Sequence, residues 1–180
     1  MNHIDTDEFE DCLELARTLL GGGDDDEDLW EANEQVNHAL GLRPEHGEAW
    51  VLKAQVLSSL GDDAAAYAAI ELGLRLEPEN AEAHYVRAAV LGDLERYDEA
   101  LEELEHAFRW LTPGDDWLVE DLYYEKSALL ESAGRADEAV AVLEAGLRRF
   151  PDSAMLRAGI EPLRRAKVRH MLRVLPGGRA

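Results

Sequence analysis

"GRADEAVAVLEAGLRRFP" (Gly134–Pro151) carries a pattern that recurs along the whole chain. A small residue, Ala139, is followed four positions on by apolar Leu143, seven on by small Gly146 and twelve on by Pro151. The same offsets run from Ala32 (Val36, Ala39, Pro44) and from Ala66 (Ile70, Gly73, Pro78). They also run from Ala100 (Leu104, Ala107), where Thr112 takes the last position and Pro113 comes one late. The four anchors are separated by 34, 34 and 39 residues. Small residues seven apart lie on one helix face two turns apart and let a neighbouring helix approach closely, with the apolar residue between them filling the groove. Proline after the helix cannot continue it and forces a turn. One such unit cannot bury its own apolar face, so stacked units share a core.

The rest of the chain is rich in Ala, Leu, Glu and Arg, with apolar residues recurring at three and four, so it reads as helical throughout. The spacing resembles the tetratricopeptide repeat (TPR) family, whose 34-residue helix–turn–helix reads W-x2-L-G-x2-Y and then A-x3-F-x2-A-x4-P. The second half of that pattern is well kept. The first half is degraded, as Trp50-Lys53-Ala54-Leu57, His84-Arg87-Ala88-Leu91 and Tyr123-Lys126-Ser127-Leu130. RYDEAL (Arg96–Leu101) and GRADEAV (Gly134–Val140) are the strings most similar to the family. The resemblance implies an all-α fold, a TPR-type α-solenoid of about four repeats in a right-handed superhelix with a C-terminal capping helix. The repeats fall at approximately 7–46, 47–80, 81–113 and 117–151. A basic capping segment at 152–175 and a frayed tail at 176–180 follow.

Two irregularities interrupt the repeats. In the first repeat, helices over Asp7–Leu20 and Leu29–Leu40 leave an enlarged turn, GGGDDDED (Gly21–Asp28). Gly21 is expected to stop the first helix in a left-handed conformation. Asp28 is expected to cap the second, with Glu31 completing a box-like pair. Asp24, Asp26 and Asp28 have the 1-3-5 spacing of a calcium loop, but Leu29 stands where glycine is needed and Gln35 where glutamate is needed. A solvated acidic loop is the better reading. Between the third and fourth repeats, TPGDDW (Thr112–Trp117) adds five residues. There Asp115 or Asp116 is expected to cap the next helix, and Trp110 and Trp117 to pack the junction, with an exposed aromatic contact as the alternative.

A formal net charge of −21 argues against nucleic acid or anionic membrane as a partner. Residues 153–180 invert that balance: seven cations stand against Glu161 alone, a net +6, which leaves −27 for residues 1–152. Pro162 is expected to split this segment into helices over Ser153–Ile160 and Pro162–Leu175, with Arg165, Arg169 and Arg173 in one stripe on the second. A cap on the last repeat is the simplest role. A segment lying in the protein's own acidic groove and a membrane or nucleic-acid helix are the alternatives.

No chemistry-bearing motif emerges. The single cysteine, Cys12, falls on an apolar face and reads as a structural thiol. None of the six histidines forms HxxxH, and His84 stands where the repeat has tryptophan. No P-loop, G-x-S-x-G or G-x-G-x-x-G is present, so no catalytic, metal or cofactor site is expected. The acidic N-terminus lacks the apolar core of a secretory signal, which suits a cytoplasmic protein. The resemblance implies a concave groove lined by first helices, with Glu48, Val51, Gln55, Ser58 and Ser59 from the second repeat. The third repeat supplies Glu82, Tyr85, Ala89, Gly92 and Asp93, and the fourth Asp121, Tyr124, Ala128, Glu131 and Ser132. These positions lack the Lys, Asn and Arg with which chaperone-docking relatives hold a C-terminal carboxylate. The expected function is a non-catalytic adaptor or scaffold binding a basic or mixed apolar peptide or helix. A chaperone or assembly factor shielding a client subunit is the alternative, and an enzyme a remoter one.

Overall fold

The computed structural model describes residues 3–22 and 26–174, with side chains for 8–22 and 26–165. All of its regular structure is helical: α1 His3–Gly21, α2 Asp26–Leu42, α3 Gly47–Ser59, α4 Asp63–Leu76, α5 Ala81–Asp93, α6 Tyr97–Trp110, α7 Asp116–Ser132, α8 Ala136–Arg149 and α9 Ala154–Val174. The chain divides into two compact bodies, Met1–Leu111 and Thr112–Ala180. In the N-terminal body α1/α2, α3/α4 and α5/α6 are antiparallel hairpins, with α3 laid against α2 and α5 against α4. In the C-terminal body α7/α8 is a fourth hairpin, and α9 packs on α8 and α7.

The residues that define the repeat form the seams. Ala32, Ala66, Ala100 and Ala139 are wholly buried, as are Val36, Ile70, Leu104 and Leu143. The glycines of the pattern mark the closest approaches. A Cβ on Gly73 would sit 3.3 Å from Val51 Cγ2, and one on Gly146 would sit 2.9 Å from Leu156 Cδ1. Phe9, Leu13 and Ala16 of α1 meet Val36 and Ala39 of α2 and Leu52 and Val56 of α3; Ile70 and Leu74 of α4 then meet Val86 and Val90 of α5. Helices α1 to α5 each pack on more than one other helix, as stacked repeats require.

Local chemistry sets the boundaries. Asp62, Asn80 and Ser153 cap α4, α5 and α9 by accepting from the backbone N–H three residues on, at 3.1, 2.9 and 3.0 Å. The turn inside the second, third and fourth repeats closes in one way: Asp62, Arg96 and Arg135 donate their N–H to Leu57, Leu91 and Leu130, five residues back. The preceding residue is left-handed each time, Gly61 (φ 75°), Glu95 (φ 59°) and Gly134 (φ 76°). Glu95 is the residue with a Cβ in that conformation. Glu95→Gly should raise stability by about 0.5–1 kcal/mol in urea denaturation, because the relief of strain exceeds the added chain entropy.

Position six after the proline is filled by three different donors. Trp50 Nε1 donates to the Pro44 carbonyl at 2.8 Å, and His84 Nε2 to the Pro78 carbonyl at 3.0 Å. An Arg157 guanidinium N–H donates to the Pro151 carbonyl. Arg157 lies 34 residues after Tyr123, so α9 stands in register with the first helix of a further repeat. Its face differs, however. Where α5 buries Ala88 and Leu91, α9 exposes Glu161 and Arg164, while Leu156, Ile160 and Leu163 are buried.

Five expectations need correction. The second helix does not start at Leu29 with Asp28 as its cap: α2 includes Asp26, Glu27 and Asp28 as an acidic first turn, which the helix dipole favours. Gly21 is helical rather than left-handed. Gly23 to Asp25, including Asp24 of the calcium pattern, lie outside the described residues. Asp115 occupies the cap position of α7 without capping it, because its carboxylate accepts instead from Thr112 N (2.7 Å) and Oγ1 (2.8 Å). Trp117 is 57% exposed, since Leu118 and Val119 take the buried side of α7; Trp110 is half-buried. Finally, Pro162 does not split the C-terminal segment. It lies inside α9, where it and Ala158, four residues before it, are both exposed. The outermost arginines of the stripe, Arg169 and Arg173, have side chains outside those described.

Candidate functional site

The groove positions are supplied by α3 and α5 in the N-terminal body and by α7 in the C-terminal body. Between α3 and α5 they converge. A cleft of about 170 Å3 is lined by Gln55, Ser58 and Ser59 on one wall and Tyr85, Val86, Ala89 and Val90 on the other. Two hydrogen bonds cross it. Gln55 Nε2 donates to Glu82 Oε1 at 3.2 Å, and Ser58 Oγ donates to Asp93 Oδ2 at 3.2 Å. Glu82, Tyr85, Ala89 and Asp93 therefore share one stripe of α5, at helical spacings of three and four.

Val51 does not line this face. It is 2% exposed and packed against Gly73 in the α3–α4–α5 core, so it supports the cleft from behind. Its counterparts sit more openly: Tyr85 is half-buried and Tyr124 is 40% exposed. Val86 and Val90, which the sequence did not single out, line the cleft and also pack in the core. They do both, because the helix edge that meets α4 also forms the cleft floor.

The face is acidic. Glu48 is exposed and pairs with Arg17 at 3.6 Å. Burial, with a smaller contribution from Asp63, pushes the Asp93 carboxyl above its usual range, against the opposing pull of the Ser58 hydrogen bond. In the C-terminal body burial does the same to Asp121, helped by Glu120. Glu131 is exposed on the last turn of α7. Gly159 of α9 lies close to Tyr124: a Cβ there would be 3.3 Å from Cε2. The α9 helix therefore borders the groove positions of α7.

Behind the cleft lies a polar network that the sequence did not disclose. His84 is 5% exposed, and its Nδ1 lies 2.8 Å from Glu103 Oε2. Arg87 bridges Glu103 (2.5 Å) and Glu71 (2.7 Å), tying α5 to α6 and α4. Burial alone would raise the Glu103 carboxyl, but hydrogen bonds from His84 and Arg87, with their charges, hold it at about 2. The signal available was a histidine in place of the repeat's tryptophan with arginine three residues later. Cys12 is buried, and burial, with Glu8 and Asp11, pushes its thiol up, away from a reactive state. Among the described residues no group of three or more His, Cys, Asp or Glu could hold a metal ion, and no helix is long and apolar enough to cross a membrane.

Comparison with known proteins agrees with this geometry. The family model of the anaphase-promoting complex, cyclosome, subunit 3, matches residues 32–107. A tetratricopeptide repeat model matches residues 120–153. No curated protein matches the sequence. Among solved structures, TTC0263, a thermophilic TPR protein in Thermus thermophilus, is 21% identical with a TM-score of 0.75, over 86% of this chain and 80% of that one. MamA from Desulfovibrio magneticus RS-1 is 18% identical with a TM-score of 0.69, over 92% and 88%. YrrB, a TPR protein with an unusual peptide-binding site, is 20% identical with a TM-score of 0.62, over 73% and 66%. These matches support a tetratricopeptide repeat protein. Its described helices pack in the antiparallel hairpins of that fold.

Proposed function

We propose that this protein is a non-catalytic adaptor that binds a basic or mixed apolar peptide or helix through the exposed sides of its first helices. The observation that carries this reading is the α3–α5 cleft, where a half-buried tyrosine and small apolar residues lie beside Glu82 and Asp93. An acidic, partly apolar surface favours cationic partners both in encounter and in the bound state. Acids on α7, Asp121 and Glu131, extend the same character to the C-terminal body. The likeness to a peptide-binding TPR protein supports the class of ligand and not its sequence.

The test is fluorescence anisotropy with three sets of labelled peptides: basic with apolar residues, neutral, and acidic. The basic set is expected to bind, and Glu82→Lys with Asp121→Lys to weaken that binding about tenfold or more. Equal affinity for the acidic set, or no response to the double charge reversal, would overturn the reading.

A further inference from the structure

Helix α7 has 17 residues where α3 and α5 have 13 each. Its added turn, 116–119, lies ahead of the repeat pattern and carries Trp117. Tyr124 follows two helical turns later, about 10 Å along the axis, and Asp121 stands between them at spacings of four and three. The three residues therefore share one face of α7. Both aromatic side chains are exposed, and Asp121 is half-buried. The missing side chain of Gly159 on α9 leaves room for the Cε2 edge of Tyr124. The neighbouring acids are engaged: Asp116 pairs with Arg149 at 3.8 Å, and Glu120 accepts from Ser153 Oγ at 2.6 Å. Among the described residues no cation pairs with Asp121. Two exposed rings flanking an uncompensated carboxylate match one side chain above others. A guanidinium is planar, stacks on aromatic faces and pairs with carboxylates, while its methylene stem covers apolar surface. The lysine ammonium is more strongly hydrated and has no plane to stack.

Resting on the adaptor reading above, we propose that the Trp117–Asp121–Tyr124 face of α7 receives an arginine side chain from a partner protein segment. The guanidinium pairs with Asp121 and stacks on Trp117, and the stem lies along Tyr124. Burial and Glu120 push the Asp121 carboxyl up, so its ionised form gains from an arriving positive charge. The same event covers two aromatic rings that water otherwise surrounds. Trp117 comes from the longer junction after the third repeat, so this recognition belongs to this chain's own insertion and not to the repeat pattern.

The experiment titrates the full chain with the end-blocked peptide Gly-Ser-Arg-Ser-Gly and with counterparts carrying lysine or citrulline, the neutral isostere of arginine. NMR follows the α7 backbone amides and the indole N–H of Trp117, assigned by its loss in Trp117→Phe. The arginine peptide is expected to shift the Trp117 signal, and to bind at least about threefold more tightly than the lysine peptide and about tenfold more tightly than the citrulline one. Asp121→Asn and Trp117→Ala, with their folds checked by circular dichroism, should each weaken it several-fold. Glu138→Gln, the same change of charge on α8, should leave it unaltered. Equal binding of arginine and citrulline, no shift at Trp117, or no effect of Asp121→Asn would overturn this site. The adaptor reading then stands if the longer basic peptides of the preceding test still bind. A Trp117 signal that moves with protein concentration alone would assign the face to a second copy of the chain, and the proposal would be wrong. If no basic peptide of either test binds, both readings fall.

Discussion

Leu156→Ala is expected to destabilise the protein by about 2–5 kcal/mol, the range for removing a fully buried leucine and leaving its cavity partly unfilled. Leu156 is wholly buried, and its Cδ1 rests where Gly146 has no side chain. Gly146 cannot swing a side chain into the gap, and Ile160 and Leu163 are fixed by their own burial in the same helix. The cavity therefore should not collapse, which places the effect in the upper half of the range. Urea denaturation measures the total, and hydrogen exchange along α9 locates it. A loss below about 1 kcal/mol would mean that α9 is a loosely attached tail, contrary to its packing on α7 and α8.

Glu103→Gln should cost about 3 kcal/mol at neutral pH, the lower end of what breaking a buried ion pair costs when a charge is left behind. Arg87 keeps Glu71, which limits the loss, but His84 loses its carboxylate and the single amide oxygen of the substituted glutamine cannot serve both donors equally. The pH dependence separates this network from ordinary packing. Glu103 sits at about 2 in the folded protein against an ordinary value of 4.5, so it binds its proton more weakly when folded. Its stabilisation is fully present above about pH 4.5 and is lost as the pH falls towards 2. The gap between wild type and Glu103→Gln should therefore narrow steadily through that window. A gap of constant size from pH 7 to pH 3 would show that the carboxylate's charge contributes nothing.

The repeat was legible because its determinants are steric and periodic. Ala66, Gly73 and Pro78 can be read without knowing their neighbours, since a small residue at a helix crossing and a proline after it have few other uses. What escaped depends on pairs. Val51 and Tyr85 occupy equivalent positions, yet Val51 is core, packed on Gly73, and Tyr85 is cleft wall. Pro162 reads as a helix end in any sequence, and it is tolerated because the buried Leu156, Ile160 and Leu163 hold α9 together on the other side. The cleft acids were found through family resemblance. Their hydrogen bonds to Gln55 and Ser58 join residues 27 and 35 positions apart, beyond any local pattern.

The contact to the proline carbonyl has a consequence for how such chains are searched and redesigned. Tryptophan, histidine and arginine share neither size, charge nor aromaticity across the three sites, and each still sends an N–H to the same backbone oxygen. A substitution matrix scores Trp50, His84 and Arg157 as unrelated, so a profile built on residue identity dilutes itself at this column. Scored by donor chemistry these three sites become one, and phenylalanine, the usual conservative exchange for tryptophan, becomes one of the poorest choices for them.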